Sequence, residues 1–571
     1  MIAAPGRAAG GSSGAGGGST GRRARVAALA AWSLMLWPAA LIVATLVWCL
    51  RHNTILSYAD APTHLNLARR AHDDLHPGLG QLGDYWLPLA HVLELPFVWN
   101  DTLWHTGLAG AIPSMACYLL STWCLYQLGL LATGQRLPGV IAAVAFAANP
   151  NILYLHVLPM FEPAIIASVL AATLLLAKWL QTGGFGLLVG AGALVSIATT
   201  SRYEVWGFAI ASVAVVGVGL WQAGDRGARL RDRLMLYLIP AWYGMALWVL
   251  WNLALSGDPF YFLHPSFNKG LGEARLAVLT KSHPTHALAY VSYSVADNAG
   301  PILVVLAALG LWRFVAAFGV RAKGLWLYLL ATPAAFDVFY LWYKGTPPIL
   351  VPELLPKTAG NIRYGTVTLP LLCLLIGYLA RRPTIVVRGP ARLARVLLVA
   401  RRLTPSIWRA LQLGVLAAVL AQPLLLVRRH AVVSYNEANT PAYLKDQQAR
   451  VLVAHWIRDH YDGGRILMST FKGADRIILD SGLPNRVFIH EGSQNDWRCA
   501  RARPQRWVRW IVLFQRDDGA AALRGTRSVG DGKRDGDYFT RIKDAYAGGP
   551  YYWIFRRNAR PWHPPHPRTC E

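Results

Sequence analysis

The sequence predicts a polytopic α-helical membrane protein with a soluble α/β domain at its C-terminal end. Three observations predict it. Of 571 residues, 54% are hydrophobic and only 15% are charged, a balance rare in a soluble chain of this size. Several apolar stretches approach or exceed the roughly 20 residues that cross a bilayer. After residue 428 the pattern changes to short apolar runs separated by Gly- and Asp-containing turns, the mark of strands.

The elements follow in chain order. Residues 1–25 open with a Gly/Ala/Ser-rich run and are expected to form a disordered cytoplasmic tail. Val26–Leu50 carries no charged side chain. It is too long for the apolar core of a signal peptide, and Leu46-Val47-Trp48-Cys49 is a poor lipoprotein cleavage site, so it reads as a first membrane span. Further spans are expected near 104–131, 137–150, 162–180, 185–200, 205–222, 234–255, 299–319, 325–343, 364–380 and 410–427, giving about eleven in a membrane domain covering 26–427.

Charge sets the orientation. The net charge of +26 would suit nucleic acid, but its distribution argues against that partner. Arg22, Arg23 and Arg25 precede the first span; Arg226, Arg229, Arg231 and Arg233 share one short loop; Arg381, Arg382, Arg388, Arg392, Arg395, Arg401, Arg402 and Arg409 occupy another. This is the positive-inside pattern, with contact to anionic headgroups of the lipid bilayer. With the N-terminus inside, these loops are cytoplasmic. Segments 51–103 and 256–298 and the domain 428–571 then lie outside. Ala61–Asp74 is amphipathic and expected to form an interfacial helix, as is 393–400 on the cytoplasmic side. In the C-terminal domain, 441–461 reads as a helix and Arg465–Thr470, Arg486–His490, Trp510–Phe514 and Tyr551–Phe555 as strands.

Of six cysteines, Cys49, Cys117, Cys124 and Cys373 lie in or beside apolar spans. Cys499 and Cys570 fall in the C-terminal domain, expected outside, where disulfides persist. They are a disulfide candidate, two unpaired thiols being the alternative.

Residues able to carry chemistry cluster on the expected outer side. Asp60 stands about ten residues past the first span, where a carboxylate can take a proton from an acceptor hydroxyl or cap the following helix. His64, Trp86 and His91 belong to the same loop, as substrate contacts or interfacial anchors. Glu162 opens the fourth span; it is placed to favour the helix dipole, to orient an acceptor, or to bind a divalent metal (Mg or Mn) through oxygen. Arg202, Tyr203 and Glu204 join the fifth and sixth spans, and Arg202 and Glu204 could pair with each other. Arg363 and Tyr364 open the tenth span, where a guanidinium matches phosphate oxygens or snorkels to the interface as an ordinary arginine. Lys344 and Lys357 flank the preceding loop. Asp337 lies in an apolar span, where an unpaired charge is costly, and could pair with Lys344. Asp60, Glu162, Arg202, Glu204 and Arg363 all fall on one face under a single topology.

That order of residues resembles the GT-C superfamily of integral-membrane glycosyltransferases, in its protein O-mannosyltransferase and aminoarabinose-transferase branch. The likeness is carried by Ala68-Arg69-Arg70, Trp86-Leu87-Pro88-Leu89-Ala90-His91, Thr106-Gly107-Leu108-Ala109-Gly110, Pro159-Met160-Phe161-Glu162-Pro163 and Arg202-Tyr203-Glu204, which resemble segments of bacterial members, and it extends over roughly 26–380. The resemblance implies an inverting glycosyltransferase in a bacterial plasma membrane, using a polyprenyl-phosphate-linked sugar. Asp60 would be the base, Glu162 the second acid and Arg363 the contact to donor phosphate, with Lys344 or Lys357 assisting. The acceptor would be a protein, lipid or glycan hydroxyl. Many members follow the aspartate with Glu; here Ala61 follows, which puts a metal-binding role for an acidic pair in doubt. A secondary transporter or a non-catalytic receptor or scaffold are the competing classes. Against a transporter, no inverted repeat is evident and few ionisable residues lie mid-span.

Overall fold

The computed structural model describes residues 35–83, 86–263, 276–318, 322–382, 404–470, 474–493, 495–514, 523, 529, 538–545 and 552–558. The expected N-terminal tail, the 393–400 helix and Cys570 lie outside the described residues.

A helix stands at each segment expected to span. The first is α1 (Met35–Arg51). The segment after it holds α2 (Asp60–Arg70), α3 (Leu89–Val98) and α4 (Asp101–Thr106). Then come α5 (Leu108–Thr133), α6 (Arg136–Ala147), a short α7 (Pro150–Leu155), α8 (Phe161–Thr182), α9 (Phe185–Thr199), α10 (Glu204–Gln222) and α11 (Gly227–Ser256). They are followed by α12 (Pro284–Ala299), α13 (Pro301–Phe318), α14 (Ala322–Tyr328), α15 (Thr332–Lys344), a 3₁₀ turn at Ile362–Thr368 leading into α16 (Leu369–Leu379), and α17 (Pro405–Arg428). Among the described residues, seven helices are long and apolar enough to cross a bilayer alone, or eight counting one bent pair; α1, α6 and α9 are shorter apolar helices.

Within the segment 256–298, expected outside, α12 is helical and meets α13 at a bend of 110°. Gly300 makes the corner with φ 80°, and a Cβ there would meet the Gln422 amide nitrogen at 1.8 Å. Pro301 then starts α13, where its missing N–H costs nothing.

Burial ranks the helices. The span at α8 and the one at Ile362–Leu379 are each 72% buried, whereas α11 and α17 are only 22% buried. Ile239 on α11 and Leu424 on α17 are 69% and 72% exposed, as lipid-facing side chains are. The two central helices are therefore α8 and α16, and these begin beside Glu162 and Arg363.

The C-terminal domain joins through α18 (Val433–Ala438) and α19 (Pro441–His460). Its sheet contains β1 (Ile466–Met468), β2 (Phe488–Ile489), β3 (Trp510–Phe514), β4 (Phe539–Ala545) and β5 (Tyr552–Arg557) in the order β2-β1-β3-β5-β4. β1 pairs parallel with β2 and β3; β5 is antiparallel to β3 and β4. The four strands expected from apolar runs are present. β4 was not expected: Arg541, Lys543 and Asp544 give it the charge of an edge strand rather than an apolar signal. Cys499 is disulfide-bonded, while Cys49, Cys117, Cys124 and Cys373 are free.

This domain docks on α2 through polar groups. Asn66 donates to the Asp475 carbonyl (2.9 Å) and carboxylate (3.1 Å), on α20 (Asp475–Ser481). Arg70 pairs with Asp475 at 3.1 Å, and Arg486 pairs with Asp73 at 3.0 Å. Burial pushes the Asp475 carboxyl up, against the pull of Arg70. Helix α2, which begins at Asp60, is thus held between the membrane domain and the soluble one.

Candidate active site

The site is assembled around Arg363. Asn361 precedes it in the left-handed region, φ 54°, a conformation asparagine tolerates. The Ile362 carbonyl accepts from Ser294 (2.8 Å) and from the Asn298 amide (2.7 Å). The Asn298 carbonyl in turn accepts from Asn149 (2.8 Å) and Asn151 (3.1 Å). Ser434 donates its backbone N–H to Asn151 and its hydroxyl to Asn298, both at 3.0 Å. This buried amide network joins the start of α7, α12, the 3₁₀ turn and α18. Fully paired networks of this kind rigidify what they support.

On that base Arg363 meets three acids. Its guanidinium donates to Asp60 Oδ2 and, at 3.1 Å, to Glu162 Oε1; Glu437 Oε1 lies at 3.7 Å. The Tyr58 ring lies under the same guanidinium, 4.8 Å away. The Arg363 and Glu162 side chains are 9% and 2% exposed, but Asp60 is 33% exposed. Asp60 is thus the acid of this trio open to solvent. It is not a loop residue, as expected, nor does it cap: it is the first residue of α2, and its carboxylate goes to Arg363.

Glu162 bridges to a second cation. Arg202 donates to Glu162 Oε1 at 3.3 Å and to both oxygens of Glu204, one of them from Nε at 3.2 Å. Its guanidinium lies 3.7 Å from the centre of the Tyr364 ring. Burial works against the Arg202 charge, but Glu204, Tyr364 and Glu162 together raise its pKa. Oε2 of Glu162 is buried and has no hydrogen-bond partner among the described residues. Asp337 faces Glu204 rather than pairing with Lys344.

The histidines form a layer beside this cluster. His64 stacks edge-on to Phe161, with 4.2 Å between ring centres, and Trp86 lies 4.6 Å from it. His64 Nδ1 and His91 Nε2 are 3.2 Å apart. Burial, then His91, Arg363 and Arg202, push the His64 pKa well below its ordinary value; burial takes His91 down to about 4.

The structure therefore brings together Asp60, Glu162, Arg202, Glu204, Arg363 and Tyr364, with His64, His91 and Trp86 alongside. Tyr203 faces away: it stacks on Phe262 and accepts a hydrogen bond from Trp248 at 3.2 Å. Lys344 and Lys357 are exposed and take no part in the cluster's ion pairs. Glu437 was missed. It follows the last span without a motif, and it accepts from the Asn361 (2.6 Å) and Ile362 (3.0 Å) backbone N–H groups. The residues present do not fit a divalent cation. The carboxylates converge on a guanidinium, and among the described residues no group of three or more acidic, His or Cys side chains is placed to hold a metal.

No family model and no curated protein matches the chain. Solved structures do. ArnT from Cupriavidus metallidurans, in the apo state, matches at TM-score 0.50 and 13% identity, over 86% of this chain and 93% of that one. The Archaeoglobus fulgidus oligosaccharyltransferase matches at TM-score 0.46 and 12% identity, over 84% of this chain and 69% of that one. Its complex with an inhibitory peptide and a dolichol-phosphate matches at 0.43 and 12%, with the same coverage. Among these the ArnT likeness, at 0.50, carries the comparison, and what it shows is the architecture: the chain has the fold seen in ArnT.

Proposed function

We propose that this protein is an inverting glycosyltransferase that moves a sugar from a polyprenyl-phosphate donor to an acceptor hydroxyl on the outer face of a bacterial plasma membrane. The observation that carries the reading is the Asp60–Arg363 pair, one-third exposed on its acid side and buried on its basic side, at the head of a central helix in a GT-C fold.

The pair explains how base and cation are kept ready together. Arg363 is saturated by carboxylates, so a donor phosphate must displace one of them. Asp60 is the one that can leave, because its side chain already meets solvent, while Glu162 and Glu437 are buried. Once the phosphate holds Arg363, Asp60 is free to accept the acceptor's proton. The acceptor oxygen then attacks the anomeric carbon from the face opposite the phosphate. The bond from that carbon to the phosphate oxygen breaks, and the electron pair leaves with the polyprenyl phosphate, stabilised by Arg363. A preorganised donor of this kind contributes roughly 2.7–4 kcal/mol in comparable sites.

Asp60→Asn keeps the size of the side chain and should abolish transfer, seen as loss of glycoconjugates by mass spectrometry of a strain carrying only the variant. Wild-type turnover by Asp60→Asn would refute the mechanism. The outside location also makes a Cys499–Cys570 disulfide stable. It would close a loop of about 70 residues and contribute up to roughly 4 kcal/mol. Complete alkylation of both thiols in non-reduced protein would dismiss that pairing and leave the catalytic reading intact.

A further inference from the structure

We propose that His64 is a further positioning residue of this site: a neutral imidazole, fixed in one tautomer by His91, whose Nε2 accepts a hydrogen bond from a hydroxyl of the sugar being transferred. The proposal rests on the glycosyltransferase reading and names a group that the sugar itself would meet.

Placement comes first. Asp60 and His64 are four residues apart on α2 and so lie on one face, one turn apart. Phe161, against which the His64 ring packs, immediately precedes Glu162 in the chain. His64 therefore lies close in the fold to Asp60 and Glu162, two of the three acids around Arg363.

The tautomer follows from hydrogen-bond chemistry. His91 Nδ1 is 3.1 Å from the Leu82 carbonyl oxygen. A carbonyl oxygen accepts only, so Nδ1 of His91 carries the proton. In the neutral ring, Nε2 of His91 is then a bare lone pair. His64 Nδ1, at 3.2 Å, must donate to it. In neutral His64 that leaves Nε2 without a proton. The chain of bonds thus runs from His64 to His91 to Leu82 and ends with one open acceptor.

Both rings are neutral for reasons of environment. His64 is 1% exposed and His91 0%, and the nearby positive charges are Arg363 and Arg202 for His64 and Arg70 for His91. Nε2 of His64 has no hydrogen-bond partner among the described residues. In the protein alone that lone pair is left for a bound O–H to donate to.

The chemistry of that acceptor selects its ligand. A phosphate at neutral pH offers oxygen acceptors, and Arg363 serves those. A neutral acceptor adds no repulsion to an anionic donor. Trp86, packed 4.6 Å from the His64 ring and only partly buried, offers aromatic surface suited to the apolar C–H face of a sugar. A sugar hydroxyl supplies the missing O–H.

The test uses the full-length chain. In a strain lacking the wild-type protein, glycoconjugates are quantified for His64→Phe, His91→Phe, His91→Gln and Asp60→Asn. In lipid nanodiscs, ¹⁵N-histidine NMR reads the tautomers. His64→Phe keeps the ring and its packing but removes the acceptor, and should lower transfer about tenfold or more, the worth of one hydrogen bond or a little over. His91→Phe should lower it less. His91→Gln, whose amide can donate to Leu82 and accept from His64, should restore part of that loss, which lost packing alone would not allow. The His64 nitrogens should report Nδ1–H. Wild-type transfer by His64→Phe, with Asp60→Asn inactive, overturns this inference alone, as does an Nε2–H signature at His64. Wild-type transfer by Asp60→Asn overturns the glycosyltransferase reading and this inference with it. Should His64→Phe fail to fold, the contrast between the His91 variants and the tautomer measurement decide the matter.

Discussion

Arg363 and Asp225 each hold together a cluster of ion pairs, and the two clusters are built in opposite ways. Asp225 sits where α10 meets α11 and takes Arg229 at 2.8 Å and Arg233 at 2.6 Å. Its partners are four and eight residues away, and their side chains are 76% and 32% exposed. Arg363 reaches Asp60 and Glu162 across 303 and 201 residues of chain, and its own side chain is 9% exposed. The clusters are separated by the length of α10, whose 19 residues make roughly 28 Å. One buried carboxylate shared by two cations is redundant toward the exposed one: remove Arg229, which is 76% exposed, and Arg233 still holds Asp225 at 2.6 Å. One buried cation shared by three carboxylates is not redundant. Its loss leaves several negative charges facing each other out of water, which costs far more than the pair contributed.

The largest effect should therefore come from Arg363→Ala. It should abolish transfer and also lower stability by roughly 3–5 kcal/mol, the cost of orphaning a buried charge. Both are measurable, by product assay and by denaturation in detergent. Arg363→Lys should recover part of the stability and little of the transfer, because a point charge cannot reach the acids and a phosphate as a planar fork does. Unchanged stability in Arg363→Ala would break the comparison.

A smaller effect should appear on acidification, beside the Arg363 cluster. His64 and His91 have folded pKa values below the ordinary histidine value, His91 at about 4. Between that and about 6.5 the unfolded chain binds more protons than the native one. Stability from these groups is thus fully present above about 6.5 and is lost as pH falls toward 4. A melting-temperature series from pH 7.5 to 4.5 should fall, and His91→Phe should flatten the fall. An unchanged slope in that variant would show that the acid sensitivity arises elsewhere. The smallest effect belongs to Arg229→Ala. It should change stability by no more than about 1 kcal/mol, because Arg229 is itself exposed and Arg233 still pairs with Asp225, and leave transfer intact. A loss near that of Arg363→Ala would show that solvent exposure is not what separates the two clusters.

Much of the fold was legible because a span is a local property. Twenty apolar residues with internal hydrogen bonding are helical in a membrane whatever surrounds them, so the apolar segments of the sequence reappear as helices. Legibility failed where a local signal was weak or ambiguous. The fold-back of α12 turns on Gly300-Pro301, a pair that equally begins a span. β4 carries edge charges rather than an apolar run. In the site, Arg202 and Glu204 could be paired on sight because a single residue separates them. Tyr203, between them in sequence, turned out to face another cluster, since neighbours in a chain need not share a side of the backbone.

What the sequence by itself determined is the membrane class, the placement of the helices, the strands of the C-terminal domain with strong apolar runs, and the set of charged residues gathered at one end of the spans. Hydrophobicity and charge act within a helix turn or a loop and need no partner to be read. Only the tertiary structure decided that Arg363 is the meeting point of Asp60, Glu162 and Glu437, that Lys344 and Lys357 stand apart from it, and that His64 leans on His91. Those contacts depend on which helices are central. That order is set by the packing of whole helices and by the amide network of Asn149, Asn151, Asn298 and Ser434, whose members lie up to 285 residues apart and share no periodicity that a single sequence displays.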